Sequence, residues 1–372
     1  MRLMCGRGNE VICLLKTRSH SVNMRKIHIR KIFRRAVLGS KIPRQVPTFF
    51  KGHQKTDHFV TPSAHQPHDI ASDETIFQIR KEFYNMWIAD NWKDYQVLDT
   101  SNGEKLERWG DYLLVRPDPQ VIWNTPHNNP GWKKKNGHYH RSAKGGGEWE
   151  FFNLPNEWSI HYKELTFNLK PFSFKHTGLF PEQATNWDWF SEIIQKANRP
   201  VKVLNLFAYT GGATLSAAKA GAAVTHVDAS KGMVGWAKEN AVSSGLGDAP
   251  IRWLVDDCVK FVEREIRRGN KYDGIIMDPP SYGRGPKGEI WKIEESIWPF
   301  IELTTQILSE DALFFLINSY TTGLQPAVLS YMMNTAIVKR FGGHVEAQEI
   351  GLPVKDSGLV LPCGASGRWT KE

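Results

Sequence analysis

The sequence predicts an α/β protein built on a doubly wound, mostly parallel sheet, with a smaller β-rich region before it. Three observations carry that expectation. From about residue 187 onward, helical and strand-like segments alternate. Within that stretch, Val203-Leu-Asn-Leu-Phe-Ala-Tyr-Thr-Gly-Gly-Ala-Thr214 is an apolar run that breaks into paired glycines and resumes as a small-residue helix. Some seventy residues later, Ile275-Ile-Met-Asp-Pro-Pro-Ser-Tyr282 is a second apolar run that stops abruptly in Asp-Pro-Pro-Ser-Tyr. A chain of 372 residues has room for one full α/β domain and a smaller one.

Charge is unevenly placed. Residues 1–56 hold fourteen Lys/Arg against one acidic residue, Glu10, a balance of +13; the remainder balances at −4. Residues 1–85 are rich in Arg, His, Ser and Pro, and only Val22–Leu38 carries a basic amphipathic pattern. Three readings compete for this segment: a flexible extension before a natural start near Met86, an organelle transit peptide over about residues 1–55, or an RNA-binding arm. The compartment is accordingly the cytoplasm, or a mitochondrion or plastid if those residues are a transit peptide. Cys5, Cys13, Cys258 and Cys363 form no CxxC pair, so neither a zinc site nor a disulfide framework is expected. No apolar run approaches the ~20 residues of a membrane span.

Residues 86–175 read as a small accessory β domain. Its candidate strands are Tyr95–Asp99, Tyr112–Arg116, Val121–Trp123, Glu148–Phe152 and Glu164–Leu169, separated by turn formers. The loop 128–147 carries Lys133, Lys134, Lys135, Arg141 and Lys144, and tryptophans are frequent throughout. Those rings serve core packing or base stacking. Residues 176–372 form the second domain. Its expected elements are helix Trp187–Lys196, strand Lys202–Phe207, helix Ala213–Ala220, strand Ala223–Asp228 and helix Lys231–Ser243. Strand Ile251–Val255, helix Cys258–Arg268, strand Gly274–Met277 and helix Ser296–Leu308 come next. Strand Leu313–Ile317 and helix Pro326–Arg340 lead to an antiparallel pair around His344–Ile350 and Leu359–Pro362.

Ligands of such sheets sit at the carboxyl ends of the strands. The first strand ends in Thr210-Gly211-Gly212, where glycines let backbone approach a ligand. The second ends in Asp228, placed to accept ribose hydroxyls or simply to cap the next helix. The third leads to Asp256-Asp257-Cys258, with one aspartate suited to an adenine amino group and one to an N-cap. The fourth ends in Asp278-Pro279-Pro280, with Tyr282 as a stacking ring. With no GxGxxG, a nicotinamide dehydrogenase fits poorly. The set reads as a methyltransferase that uses S-adenosylmethionine and acts on a planar base.

In this order, Val203–Thr214, Asp228, Asp257 and Asp278–Tyr282 resemble the bacterial 23S rRNA large-subunit methyltransferases, which include cytosine-C5 and guanine-N7 enzymes. Lys175-His-Thr-Gly-Leu-Phe-Pro-Glu-Gln183 is similar to that group's Lys-x-Gly-aromatic-x-Asp-Gln-Arg segment, with Glu182 and Ala184 as departures. The resemblance implies a Rossmann-like class I methyltransferase sheet of six parallel strands plus one antiparallel. It also implies an RNA partner, with Phe180 and Gln183 bordering the cofactor. The candidate cofactor-binding set is Phe180, Gln183, Asn205, Phe207, Tyr209, Thr210, Gly211, Gly212, Asp228, Ala229, Asp256, Asp257, Cys258 and Asp278. The catalytic set is Asp278, Pro279, Pro280 and Tyr282. Arg284, Lys287 and Trp291 are placed on the substrate side, and no metal ligands are expected. The fifth strand ends in Asn318-Ser-Tyr-Thr-Thr322, without the cysteine that cytosine-C5 relatives carry there, so a nitrogen target ranks above carbon. Methylation of a small molecule or protein amide, and a noncatalytic RNA-binding assembly factor, stand as alternatives.

Overall fold

The computed structural model describes residues 86–142, 146–172 and 174–371. The chain divides into two compact units, Met1–His68 and Asp69–Glu372, and every described residue lies in the second. The basic segment 1–85, with its extension, transit-peptide and RNA-arm readings, lies outside the described residues, as does Lys144.

A short strand β1 (Met86–Ile88) is followed by β2 (Tyr95–Ser101), β3 (Glu104–Trp109), β4 (Tyr112–Pro117), β5 (Gly137–Arg141) and β6 (Gly147–Phe151). Strands β2 to β6 form one five-stranded sheet in sequence order. The hairpin β7 (Trp158–Tyr162) and β8 (Leu165–Leu169) comes next. The remaining elements alternate: α1 (Ala184–Lys196), β9 (Lys202–Leu206), α2 (Gly212–Lys219), β10 (Ala223–Asp228), α3 (Lys231–Ser243), β11 (Ile251–Val255), α4 (Cys258–Arg268) and β12 (Gly274–Met277). A small hairpin, β13 (Tyr282–Arg284) and β14 (Ile290–Lys292), precedes α5 (Ile293–Thr305) and β15 (Phe314–Ser319). Helix α6 (Pro326–Met333) runs into a π-type turn at Asn334–Val338, and β16 (His344–Pro353) and β17 (Val360–Thr370) close the fold.

The main sheet has eight strands in the order β1-β16-β17-β15-β12-β9-β10-β11, with β17 antiparallel to both neighbours and every other pair parallel. The expected count of six plus one is therefore corrected to seven plus one. The extra strand, β1, is only three residues long and pairs with β16 through Met86↔Glu349, Trp87↔Ile350 and Ile88↔Gly351. A segment that short shows no periodicity to read. It also places part of residues 86–175 within the large sheet.

The central strands are apolar on both faces, as buried parallel strands must be. Leu204, Ile275, Phe315 and Ile317 pack with Phe261 of α4 and Phe300 of α5. Val203, Ile276, Phe314 and Leu316 pack with Phe190 of α1 and Leu215 of α2. Helix α5 begins three residues before its expected start, because Glu294 and Glu295 suit a first turn with its exposed N–H groups. Helix α6 was expected to run unbroken to Arg340, and the π-type turn interrupts it. Among the described residues no helix is long and apolar enough to cross a membrane.

Val121–Trp123, an expected strand, is a loop lying along the β2–β3 turn. Asn102 N–H donates to Trp123 O at 2.8 Å and Gly103 N–H to Val121 O at 2.9 Å. Strand β3 was missed because its sequence, Glu-Lys-Leu-Glu-Arg-Trp, is mostly charged. Those charges have partners inside. Glu107 is fully buried; it accepts from Arg116 Nε at 2.6 Å, Arg116 Nη2 at 2.8 Å and Tyr95 Oη at 2.7 Å. Burial alone would raise its pKa, but Arg116 and Lys105 outweigh that and hold it at about 2. Arg116 Nη1 also donates to Lys175 O at 2.9 Å, while Lys175 Nζ donates to Pro117 O at 3.2 Å, tying β4 to the segment that leads into α1.

Replacing Arg116 by methionine leaves the Glu107 carboxylate buried without its bidentate partner. The expected loss is ~3–5 kcal/mol in urea unfolding, with part recovered by adding Glu107→Gln. An Arg116→Met chain as stable as the parent would show that the pair contributes little.

Candidate functional site

Five parallel strands deliver their carboxyl ends to one edge of the sheet, and a cavity of about 400 Å³ opens there. The turn after β9 is tightly wound. Phe207, Tyr209 and Gly211 all have positive φ (56°, 50° and 88°), and the first two are strained as non-glycine residues. Hydrogen bonds hold that turn in place. Phe207 N–H reaches Cys258 Sγ at 3.4 Å, Tyr209 N–H reaches Asp228 Oδ2 at 2.8 Å, and Thr210 Oγ1 donates to Gly178 O at 2.5 Å. A side chain at Gly212 would meet the Trp187 ring at 2.6 Å, so packing against α1 already requires that glycine.

Asp228 lies on the cavity wall and also accepts from Ser230 N–H through Oδ1 at 2.8 Å. Burial raises its pKa, opposed by these two backbone donors. Ser230, not Asp228, caps α3. Asp257 caps α4 by accepting from Lys260 N–H at 2.9 Å, and it also lines the cavity. Its neighbour Asp256 is ion-paired with Arg264 and stands off the wall. Cys258 is buried beneath this edge, and burial pushes its thiol pKa well up.

Asp278, at the end of β12, has a pKa raised to about 7 by burial and by the Glu182 carboxylate, against a hydrogen bond from Asn318. Pro279 and Pro280 line the wall, and the Pro280 carbonyl accepts from Trp291 Nε1 at 2.7 Å. Trp291 is buried against Phe207, with ring centroids 4.9 Å apart. Phe180 meets the rings of Tyr209 and Tyr320 at 5.5 and 5.7 Å. The Gln183 amide donates to Tyr320 Oη at 2.7 Å.

Most of the expected residues therefore meet at one cavity: Phe180, Gln183, Asn205, Phe207, Tyr209, Thr210, Gly212, Asp228, Ala229, Asp257, Cys258, Asp278, Pro279, Pro280, Arg284 and Trp291. Gly211, Asp256, Tyr282 and Lys287 do not line it. Tyr282 is 53 % exposed because β13 pairs it with exposed Lys292, while the neighbouring Gly283–Trp291 pair faces inward. Tyr320, just beyond β15, lines the cavity where Tyr282 does not, and it was not anticipated, nor were His176 and Asn318 on the wall. A signal for Tyr320 was available: it follows the fifth strand end on the same edge.

The cavity suits a cationic ligand with a flat aromatic part. Among the described residues, Asp228, Asp257 and Asp278 on its wall have no ion-pair partner, whereas the nearby Asp256 and Glu289 pair with Arg264 and Lys260. The walls beside these carboxylates are the rings of Phe180, Phe207, Tyr209 and Trp291. S-adenosylmethionine, a sulfonium with a purine, meets both requirements.

Comparison with known proteins agrees. The family described as S-adenosylmethionine-dependent methyltransferase matches residues 129–292. The crystal structure of a SAM-dependent methyltransferase from Agrobacterium tumefaciens is 37% identical, with a TM-score of 0.73, covering 77% of this chain and 93% of that one. A Streptococcus mutans structure assigned to the same class is 18% identical with a TM-score of 0.59, covering 82% of this chain and 83% of that one, and shows the fold alone. Among curated relatives, the ribosomal RNA large subunit methyltransferase K/L of Pseudoalteromonas atlantica is 27% identical over 236 residues, 56% of this chain and 32% of that protein. The protein of the same name from Colwellia psychrerythraea is 31% identical over 182 residues, 49% of this chain and 23% of that protein. The chain thus spans about a third or less of these curated relatives. With its sheet order, its acidic strand ends and this kinship, the chain belongs to the S-adenosylmethionine-dependent methyltransferases.

Proposed function

We propose that this enzyme methylates a nitrogen atom of an RNA base, with ribosomal RNA as the target. The observation that carries the nitrogen assignment is the state of the two described cysteines. Cys258 is buried under Phe207, and burial raises the pKa of both Cys258 and Cys363 well above that of an ordinary thiol. A protonated thiol is a poor nucleophile, Cys363 is half-buried and does not line the cavity, and attack on a cytosine ring needs a thiolate. The RNA assignment draws on the curated relatives, whose names specify rRNA.

In this reading Asp228 holds the ribose, Asp257 the adenine edge, and the rings of Phe207 and Tyr209 pack against the purine. When bound, S-adenosylmethionine supplies an electrophilic methyl group on its sulfonium. Asp278 faces the acceptor base, with Asn318 and Tyr320 beside it, so that alignment rather than covalent chemistry lowers the barrier. Exposed Tyr282, together with Lys287 and Lys292 on the β13–β14 hairpin, offers a ring and cations to the RNA outside the cavity, and Arg284 a further cation at its wall. Residues 86–175 serve as the accessory region, 176–372 as the catalytic domain and 1–85 as an extension or targeting segment. The enzyme acts where ribosomes are made: the cytoplasm, or an organelle if residues 1–55 direct it there.

Mapping rRNA from cells lacking the protein tests this directly. One methylated base should disappear, return with the parent gene and stay absent with Asp278→Ala, which should bind S-adenosylhomocysteine within a few-fold of normal. Unchanged rRNA would sink the proposal.

Cys258→Ala and Cys363→Ala should each retain methyl transfer on the same RNA. Loss of turnover with normal cofactor binding in either variant would point to carbon methylation.

Asp278 ionises as pH rises through about 7, and its anion attracts a sulfonium but not a neutral thioether. From about pH 6 to 8, affinity for S-adenosylmethionine should rise on the order of fivefold relative to S-adenosylhomocysteine. Calorimetry in which the two affinities change in parallel would remove Asp278 from the sulfonium's surroundings.

A further inference from the structure

The five-stranded sheet carries a side-chain cluster that the methyltransferase site does not use. His138 and His140 alternate along β5 and so share a face, with ring centroids 3.9 Å apart. In the antiparallel register of β5 with β6, Glu150 stands opposite His138 and Glu148 opposite His140. One ligand atom from each of His138, His140 and Glu150 lies within 4.8 Å of the others. None of the three lines the cavity described above.

We propose that His138, His140 and Glu150 bind a divalent transition-metal ion, zinc foremost, which ties the edge strand β6 to β5. Two imidazoles and a carboxylate form a mixed nitrogen–oxygen donor set that favours zinc, cobalt or nickel over magnesium or calcium. A second observation points the same way. Glu104, on β3, accepts from His138 Nε2 at 2.7 Å, which fixes that ring and leaves Nδ1 for an ion. Carboxylates bonded to the far nitrogen of a histidine are the usual support of metal-binding imidazoles. His140 Nε2 lies 2.9 Å from Glu150 Oε2, and these side chains are 48% and 51% exposed. Donors around a tetrahedral zinc are roughly 3.3 Å apart, so rotation of these half-exposed side chains brings the cluster to that spacing. Glu148 or water completes the shell. His127, stacked on Trp132, is another imidazole in this part of the chain.

The test uses the full chain, stripped with chelator and titrated separately with Zn²⁺ and Co²⁺. The chain has thirteen histidines and four cysteines, so the reading is the difference between parent and variants. The double variant His138→Ala/His140→Ala should bind one equivalent fewer and lose the visible absorption of four-coordinate cobalt. Glu150→Gln should weaken binding tenfold or more, and Glu104→Gln by ~10–100-fold. Unchanged S-adenosylhomocysteine affinity establishes that each variant is folded, and Glu150→Gln provides the reading if the double variant is not. Equal stoichiometry and affinity in parent and folded variants would overturn the site, as would zinc binding so weak that millimolar metal is needed.

Discussion

The Gln183 carboxamide joins three parts of the chain that are distant in sequence. Its oxygen accepts from Asn186 at the start of α1 (2.8 Å) and from Asn318 near the end of β15 (3.0 Å), while its nitrogen donates to Tyr320 Oη. Asn186 in turn donates to Ser366 on β17 and accepts from Arg368 Nε, both at 2.9 Å. The Arg368 guanidinium sits over the rings of Trp87 on β1 and Trp189 on α1, 3.6 and 5.0 Å from their centroids. Gln183, Asn186, Asn318, Ser366 and Arg368 are buried, with Tyr320 at the exposed end, and a buried polar network holds one arrangement only when its members find partners. The positions of Phe180 and Tyr320 on the cavity wall depend on this knot. So does the eighth strand, whose Trp87 has the guanidinium as its partner.

Strain and packing then sharpen the cofactor edge. Positive φ at Phe207 and Tyr209 costs of the order of 1–3 kcal/mol each. The cost is offset by the bonds that this backbone makes to Asp228 and Cys258, and by the Asn240 amide donating to Thr210 O at 3.0 Å. A relaxed turn would lose the N–H that orients the Asp228 carboxylate. The same economy explains the glycines. Gly178, with φ 104°, lies where a side chain would meet the Trp236 ring at 2.4 Å, so the segment before α1 can close on Thr210 only without one.

How much of this was legible follows from where the signals lie. Strands β10, β11 and β12 and helices α3 and α4 have the bounds read from the sequence, because the apolar runs of these strands, buried in β10 and β12 and half-exposed in the edge strand β11, end sharply in polar turns. Asp228, Asp257 and Asp278 were readable because each lies at or just past the carboxyl end of such a run. Strand β3 was not, since its Lys105, Glu107 and Arg108 look like a surface segment until Arg116 and Tyr95 are seen beside Glu107. Neither Tyr320 nor Tyr282 could be ranked from spacing alone. Which ring faces inward depends on the pairing of β13 with β14, and that register is invisible in a three-residue strand. The histidine pair on β5 escaped for a related reason: a search confined to cysteines passes over ligands that only a hairpin register brings together.

The acidic cavity is also a constraint on stability. Asp278 has its folded-state pKa raised above the ordinary carboxylate value, so its contribution to stability is fully present below that ordinary value and is lost as pH rises through about 7. Asp228 and Glu182 are shifted in the same direction by burial. These carboxylates therefore withdraw stability from the ligand-free chain as they ionise, whereas Glu107, with its lowered pKa, loses its contribution only in acid. A bound cation reverses the balance, because it favours the ionised forms and stabilises the folded state by mass action. Carboxylates left without protein counter-ions weaken the fold, and the same deficit lets the site favour a sulfonium over its neutral product.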